Sequence, residues 1–300
     1  MVTLSRRMAA AAIGVAADRV LPEPPDDWHP VARFGSLMGA LEERIWSDRV
    51  GAGAAYAAAG VALGAVAGTL SRGTAGATST AVAGTELRRV ATEIVDQLDG
   101  GGIDAARRAL PALVGRDPSG LDAAGVAAAV IESVAENTVD ALVAPVFWAV
   151  VAGAPGALAY RAINTMDAMV GHRSDRYERF GKVSARLDDV ANFAPARLTA
   201  ILFAAASSGR WGNVRAVVRR DASAHPSPNA GVAEAAMAGA LGVELGGPLA
   251  YGDRQENRPT LGDGPRPDVA AARRAIAVAE RAENILLVCL VVGAVLARRR

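Results

Sequence analysis

The chain has 300 residues, room for one large domain or two ordinary ones. It is 51% hydrophobic yet only 4% aromatic, with a mean hydropathy of +0.21. A net charge of +1 argues against a nucleic-acid binder, and the single cysteine, Cys289, excludes an internal disulfide. Lys182 is the one lysine among many arginines, and alanine dominates the apolar content, as the bias of a GC-rich genome would produce.

Met8–Ala17, after Arg6 and Arg7, is a short apolar stretch like a signal-peptide core and is expected to be an uncleaved first helix. A proline-rich break at Leu21–Asp27 follows, then the words HPVARFG (His29–Gly35) and an amphipathic helix expected over Ser36–Trp46. His29 reads as a loop or capping residue. Gly51–Leu70 carries no charge and is long enough to span a bilayer, and its glycines suit close helix packing there. Thr85–Val114, broken at Gly100–Gly102, is expected to form two amphipathic helices at the membrane surface.

The densest polar chemistry flanks the apolar block Ala141–Tyr160. If Asp122 caps a helix running past Asp140, then Glu132, Glu136 and Asp140 fall within an arc of about 80° and form one acidic stripe. Like charges so placed repel, so a metal ion, the arginines of the other flank, or both should offset them. The alternative is a solvated helix face, which the apolar opposite face (Val130, Val134, Val139) argues against. Gly153-Ala-Pro-Gly156 interrupts the block with turn chemistry. Two topologies remain open: a kinked helix crossing the membrane once, or a re-entrant hairpin returning the chain to the side it left. The hairpin is preferred because it lets each carboxylate find an arginine partner.

Phe193–Ser208 is a further apolar run, entered through Pro195 and Arg197 and followed by Arg210, Arg215, Arg219 and Arg220, which mark a cytoplasmic end. In Asp221–Gly231, Ser227 is the expected cap and Pro228 the first residue of an alanine-rich helix, whose free N–H groups suit a phosphate, although an ordinary capped helix is the commoner outcome. Gly246–Pro267 reads as a long loop or small irregular lobe, and Asp268 caps a last helix that turns apolar over Ile285–Ala297 and ends in three arginines. No repeat, P-loop, dinucleotide fingerprint or Cys/His metal pattern is present. The expected architecture is therefore all-α: one polytopic integral membrane helical domain over residues 1–300, with a re-entrant hairpin around Gly153–Gly156 and amphipathic surface helices.

ESVAENTVD (Glu132–Asp140), the stretch from YRAINTMD to ARLTA (Tyr160–Ala200), HPSPNAG (His225–Gly231) and RPTLGDGPRPD (Arg258–Asp268) together resemble the CobD/CbiB family, the adenosylcobinamide-phosphate synthases of cobalamin biosynthesis. The chain departs from that pattern before His29, where Leu21-Pro-Glu-Pro stands, and at Ser36. The resemblance implies a plasma-membrane enzyme with a cytoplasmic site. It would join adenosylcobyric acid to (R)-1-amino-2-propanol or its O-phosphate, with ATP as co-substrate and Mg²⁺, beside other enzymes of the pathway. It further implies Glu132, Glu136 and Asp140 as Mg²⁺ ligands, with Asp167 beside them, and Arg173, Arg176, Lys182 and Arg186 on phosphate groups. Asp188 or Asp189 would take the amine's proton, and Asn137 and Asn164 would orient groups. Arg197, His225, Ser227 and Asn229 complete the substrate-binding set, HPSPNAG supplying a second phosphate cradle. Arg186–Asp189 and Glu178–Lys182 are equally readable as helix-surface pairs. The competing readings are an AmpE-like membrane sensor or scaffold, a permease, and a soluble all-helical protein.

Overall fold

The computed structural model describes residues 3–21, 28–71, 73–115, 117–172, 174–251 and 254–299; Arg173, Arg300 and most of the proline-rich break lie outside them. In chain order the elements are α1 (Leu4–Val20), α2 (Pro30–Ile45), α3 (Val50–Leu70), α4 (Thr74–Ala81), α5 (Gly84–Asp99), α6 (Ile103–Ala109), α7 (Ala123–Thr138), α8 (Ala144–Met166), α9 (Lys182–Ala206), α10 (Trp211–Asp221), α11 (Ala230–Leu241), β1 (Leu245–Tyr251), β2 (Arg254–Leu261) and α12 (Val269–Arg298). Helix makes up 79% of the chain, in accord with the all-α expectation.

Several boundaries fall where their caps require. His29 caps α2, its Nδ1 accepting the Val31 N–H at 3.3 Å, with Pro30 at the first helical position. Asp122 caps α7 through Gly125 N–H at 2.7 Å, and Asp268 caps α12 through Ala271 N–H at 2.7 Å. Other expectations are corrected. α2 begins six residues before Ser36, since Pro30 fits a first turn. α7 does not continue as a regular α-helix past Asp140: Val139–Val143 is a π-turn. Gly246–Pro267 is not irregular throughout. β1 and β2 pair antiparallel, with Tyr251 opposite Arg254 across two residues and a bulge between Leu245 and Gly247. Gly246, at φ 82°, takes the backbone conformation this bulge needs.

The chain divides into two compact units. One comprises Met1–Ala83, Asp140–Pro195 and Leu287–Arg300; the other comprises Gly84–Val139 and Ala196–Leu286. In the first, α8 breaks at Gly153, whose φ of 71° and ψ of −154° no helix contains. Tyr160 Oη lies 3.4 Å from Asp140 Oδ1 although the residues are twenty apart, a separation of ~30 Å along a straight helix. A Cβ on Gly156 would also collide with the Trp148 carbonyl oxygen. The chain therefore reverses at Gly153, and the two limbs lie side by side.

The second limb packs on α3 through glycine. Gly60 faces Met166, Gly64 faces the Leu158 carbonyl and Ala162, and Gly68 faces Ala154 and Pro155. Below this seam Met38, Tyr56, Met166, Val170 and Phe180 form the buried core, with the Tyr56 and Phe180 rings 5.2 Å apart. Gly53 stands against the Phe180 carbonyl with no room for a Cβ, whereas Gly51, one residue into the same helix, faces open space. In the second unit α11 is buried along its whole length, and the Arg88–Glu283 ion pair, with Glu283 fully buried, joins α5 to α12.

Gly53→Ala should therefore lower stability by about 1–3 kcal/mol through overpacking. Gly51→Ala should be neutral or stabilising by up to about 1 kcal/mol. Thermal unfolding of the detergent-solubilised protein by circular dichroism makes the comparison.

Candidate functional site

Reversal at Gly153 concentrates polar groups in the first unit. Asp140 comes from the π-turn, Tyr160 from the returning limb, and Asp188 and Asn192 from successive turns of α9. Trp148 holds the outgoing limb to α9, its Nε1–H donating to the Ala191 carbonyl at 3.1 Å. Asn192, 2% exposed, donates from Nδ2 to Asp140 Oδ1 at 3.0 Å and to Asp188 Oδ2 at 2.9 Å. Its Oδ1 accepts from Tyr160 Oη at 2.8 Å. This amide orientation is forced, because the opposite one would press Oδ1 against two carboxylates. Two acceptors on one NH₂ group lie ~5 Å apart, so Asp140 and Asp188 form a spaced carboxylate pair. Sequence reasoning named both acids and missed Asn192 and Tyr160. Asn192 stands one turn after Asp188 on α9, and that spacing was the available signal.

The remaining expected residues of this unit are arranged differently. Arg176 is a clamp: its Nε and Nη2 reach Glu42 Oε1 at 3.1 and 2.8 Å, Tyr177 Oη donates to the same oxygen at 3.0 Å, and the guanidinium lies 4.6 Å from the Trp46 ring centre. Those hydrogen bonds raise the Arg176 pKa above its usual range. Asn164 accepts from Arg161 at 3.3 Å. Asp167 begins a second π-turn, and its carboxylate fills the place a Cβ on Gly171 would take. Lys182 and Arg186 are exposed on the first turns of α9, and Arg186 forms the anticipated surface pair with Asp189 at 3.8 Å.

Glu132, Glu136, Asn137, Arg197, His225, Ser227 and Asn229 belong to the second unit. Glu132, 2% exposed, accepts the Gly246 N–H at 2.8 Å and so anchors the β-hairpin, while Glu136 is exposed. Asn137 turns its amide back on Ser133, at 2.9 Å to the carbonyl and 3.0 Å to the hydroxyl. Among the described residues no three His, Cys, Asp or Glu side chains are grouped to hold a metal ion.

HPSPNAG is a self-bonded turn. α11 starts at Ala230, two residues later than expected, with Asn229 and not Ser227 at the cap position; Ser227 Oγ accepts the Ala230 N–H at 3.1 Å from within the preceding turn. Arg197 donates to Asn229 Oδ1 at 2.8 Å and to the Pro228 carbonyl at 3.2 Å, and burial pulls its pKa below the usual arginine range. His225 Nδ1 accepts the Ser227 N–H at 3.0 Å, and its Nε2 faces Glu234 at 3.7 Å and Arg258 at 3.4 Å. Glu234 and Arg258 were not anticipated; a lone glutamate within an alanine helix was the available signal.

At the end of β2, Asp221 accepts the Gly262 N–H at 2.8 Å and is gripped by Arg220 at 2.7 Å. The Arg220 hydrogen bonds lead the causes that lower its pKa. A depressed carboxylate contributes stability that is complete above the unfolded value near pH 4 and disappears as pH falls through the folded one. Asp221→Asn should thus be less stable than wild type at pH 7, with the gap closing below about pH 4. Denaturant titrations at several pH values read this directly.

A family profile described as CobD/Cbib protein matches residues 11–279. Cobalamin biosynthesis protein CobD of Mycobacterium tuberculosis is 46% identical, over 96% of this chain and 97% of the relative. The protein of that name from Rhodobacter capsulatus is 54% identical over 63% of this chain and 60% of its own. That from Geobacter metallireducens is 39% identical over 93% of this chain and 94% of the relative. No solved structure gives a significant match. With a family profile and a full-length relative agreeing over nearly its whole length, this chain belongs to the CobD/CbiB family.

Proposed function

We propose that this chain acts in cobalamin biosynthesis as an amide-forming synthase. It would join a carboxyl of adenosylcobyric acid to the amine of (R)-1-amino-2-propanol or its O-phosphate, with ATP as co-substrate. The observation carrying this reading is the Asp140–Asp188 pair held by Asn192. Two carboxylates ~5 Å apart suit an alkylammonium, which they bind by charge and can relieve of a proton. A free carboxylate is a poor acceptor for an amine, so the acid must first be activated. Attack of the corrinoid carboxylate on the γ-phosphorus of ATP gives an acyl phosphate and releases ADP. The amine, its proton passed to Asp188, attacks the acyl carbon and expels phosphate. Asp140 holds the ammonium, and Lys182 and Arg186 on the first turns of α9 meet the phosphate oxygens. Mg²⁺ needs only one or two protein carboxylates when it arrives on nucleotide phosphates. The described residues offer no cage for a resident ion, and no step here depends on one.

A site at the cytoplasmic side of the plasma membrane is part of the same proposal. α3 and the apolar part of Ala123–Gly171 are long and apolar enough to cross a bilayer. With the chain reversed at Gly153, each limb of α8 alone is too short for a ~30 Å core, which supports a re-entrant hairpin. Ile13, Val288, Val291, Val292 and Val295 are exposed, and Arg298 and Arg299 follow as a basic anchor.

Expression in a strain lacking this biosynthetic step tests the reaction. Wild type should restore growth on cobyric acid, while Asp140→Asn and Asp188→Asn, present at equal membrane level, should grow only on cobinamide. Failure of wild type, or growth of both variants on cobyric acid, contradicts the reading and moves a sensor or scaffold ahead. Carbonate washing should leave the chain in the membrane fraction; release into the supernatant would contradict the placement.

A further inference from the structure

We propose that Asn192 is a positioning residue of this site, fixing the spacing of the Asp140 and Asp188 carboxylates, and that Tyr160 fixes the amide in turn. The inference rests on the synthase reading and adds two residues to it. Asn192 sits at 2% exposure and Tyr160 at 1%. Both hydrogens of the Asn192 amide are committed, at 3.0 and 2.9 Å, to acids from different elements, and its oxygen receives the Tyr160 hydroxyl at 2.8 Å. The Tyr160 hydroxyl also lies 3.4 Å from Asp140 Oδ1, so it spans the amide and one member of the pair.

A planar NH₂ group sets both the separation and the direction of its two acceptors. Leucine has the same branched, four-atom side chain as asparagine, so it keeps the packing while offering neither donor nor acceptor. A buried polar network is retained where its geometry is used.

The test is steady-state turnover of purified protein with adenosylcobyric acid, aminopropanol or its phosphate, and ATP. The variants are Asn192→Leu, Tyr160→Phe and Asp188→Asn, with the Asn192→Leu/Asp188→Asn double, each corrected for folded protein. Asn192→Leu should lower kcat about 100-fold, as a displaced reacting group does, while each KM stays within about threefold. Tyr160→Phe loses only a hydroxyl and should fold even where Asn192→Leu does not; a drop of about tenfold in kcat is expected. The double variant should be no slower than the slower single, because both act through one arrangement. Wild-type kcat in Asn192→Leu or Tyr160→Phe, or losses that multiply in the double, would overturn the proposal while leaving the synthase reading intact. Absence of turnover in wild type overturns the synthase reading, and this inference with it.

Discussion

Gly153 is the residue on which the site depends. Its φ of 71° and ψ of −154° turn the chain back in the middle of an apolar run, and only glycine adopts such a conformation at little steric cost. Without that turn Asp140 and Tyr160 would stand ~30 Å apart on one long helix, and neither could meet the acids of α9. The reversal also gives α3 its partner, since the glycines of α3 lie against the returning limb. One backbone conformation thus serves both the packing of the first unit and the convergence of its polar groups.

Much of this was legible because the responsible physics is local. Capping by Asp122 and Asp268 is set by one carboxylate and one N–H three residues on. The glycine spacing of α3 announced a close helix contact, and Gly153-Ala-Pro-Gly156 announced a break. What was not legible depended on partners distant in sequence. The clamp of Arg176 on Glu42 joins residues 134 apart. The bond from the Gly246 N–H to Glu132 joins residues 114 apart. The π-turn at Val139–Val143 was not legible for a subtler reason: five residues of π winding cannot be told from an α-helix by apolar spacing alone. The β-hairpin was within reach, since Gly252-Asp253 between two extended runs is a hairpin signal.

The acids and arginines of the chain sort by what they touch. Glu42, Glu132 and Glu283 are buried against arginine or backbone N–H and hold elements together. Asp140 and Asp188 instead share a neutral amide, which orients them. A buried ion pair is a poor place for chemistry, because its charges are already matched. Asp140 and Asp188 are tied to each other by one shared amide. That difference, more than the number of acids in the central stretch, is what distinguishes this site from the structural pairs around it.

The central claim is tested most directly by the distance between the two limbs of α8 in a bilayer. Spin labels on cysteines replacing Phe147 and Ile163, with Cys289→Ser, would stand on backbones about 24 Å apart if the helix ran straight. Folded at Gly153, adjacent helices at 8–10 Å between axes bring those backbones to roughly 15 Å or less. Strong dipolar broadening at the shorter distance is the predicted result; a distribution centred near the longer one would contradict the account.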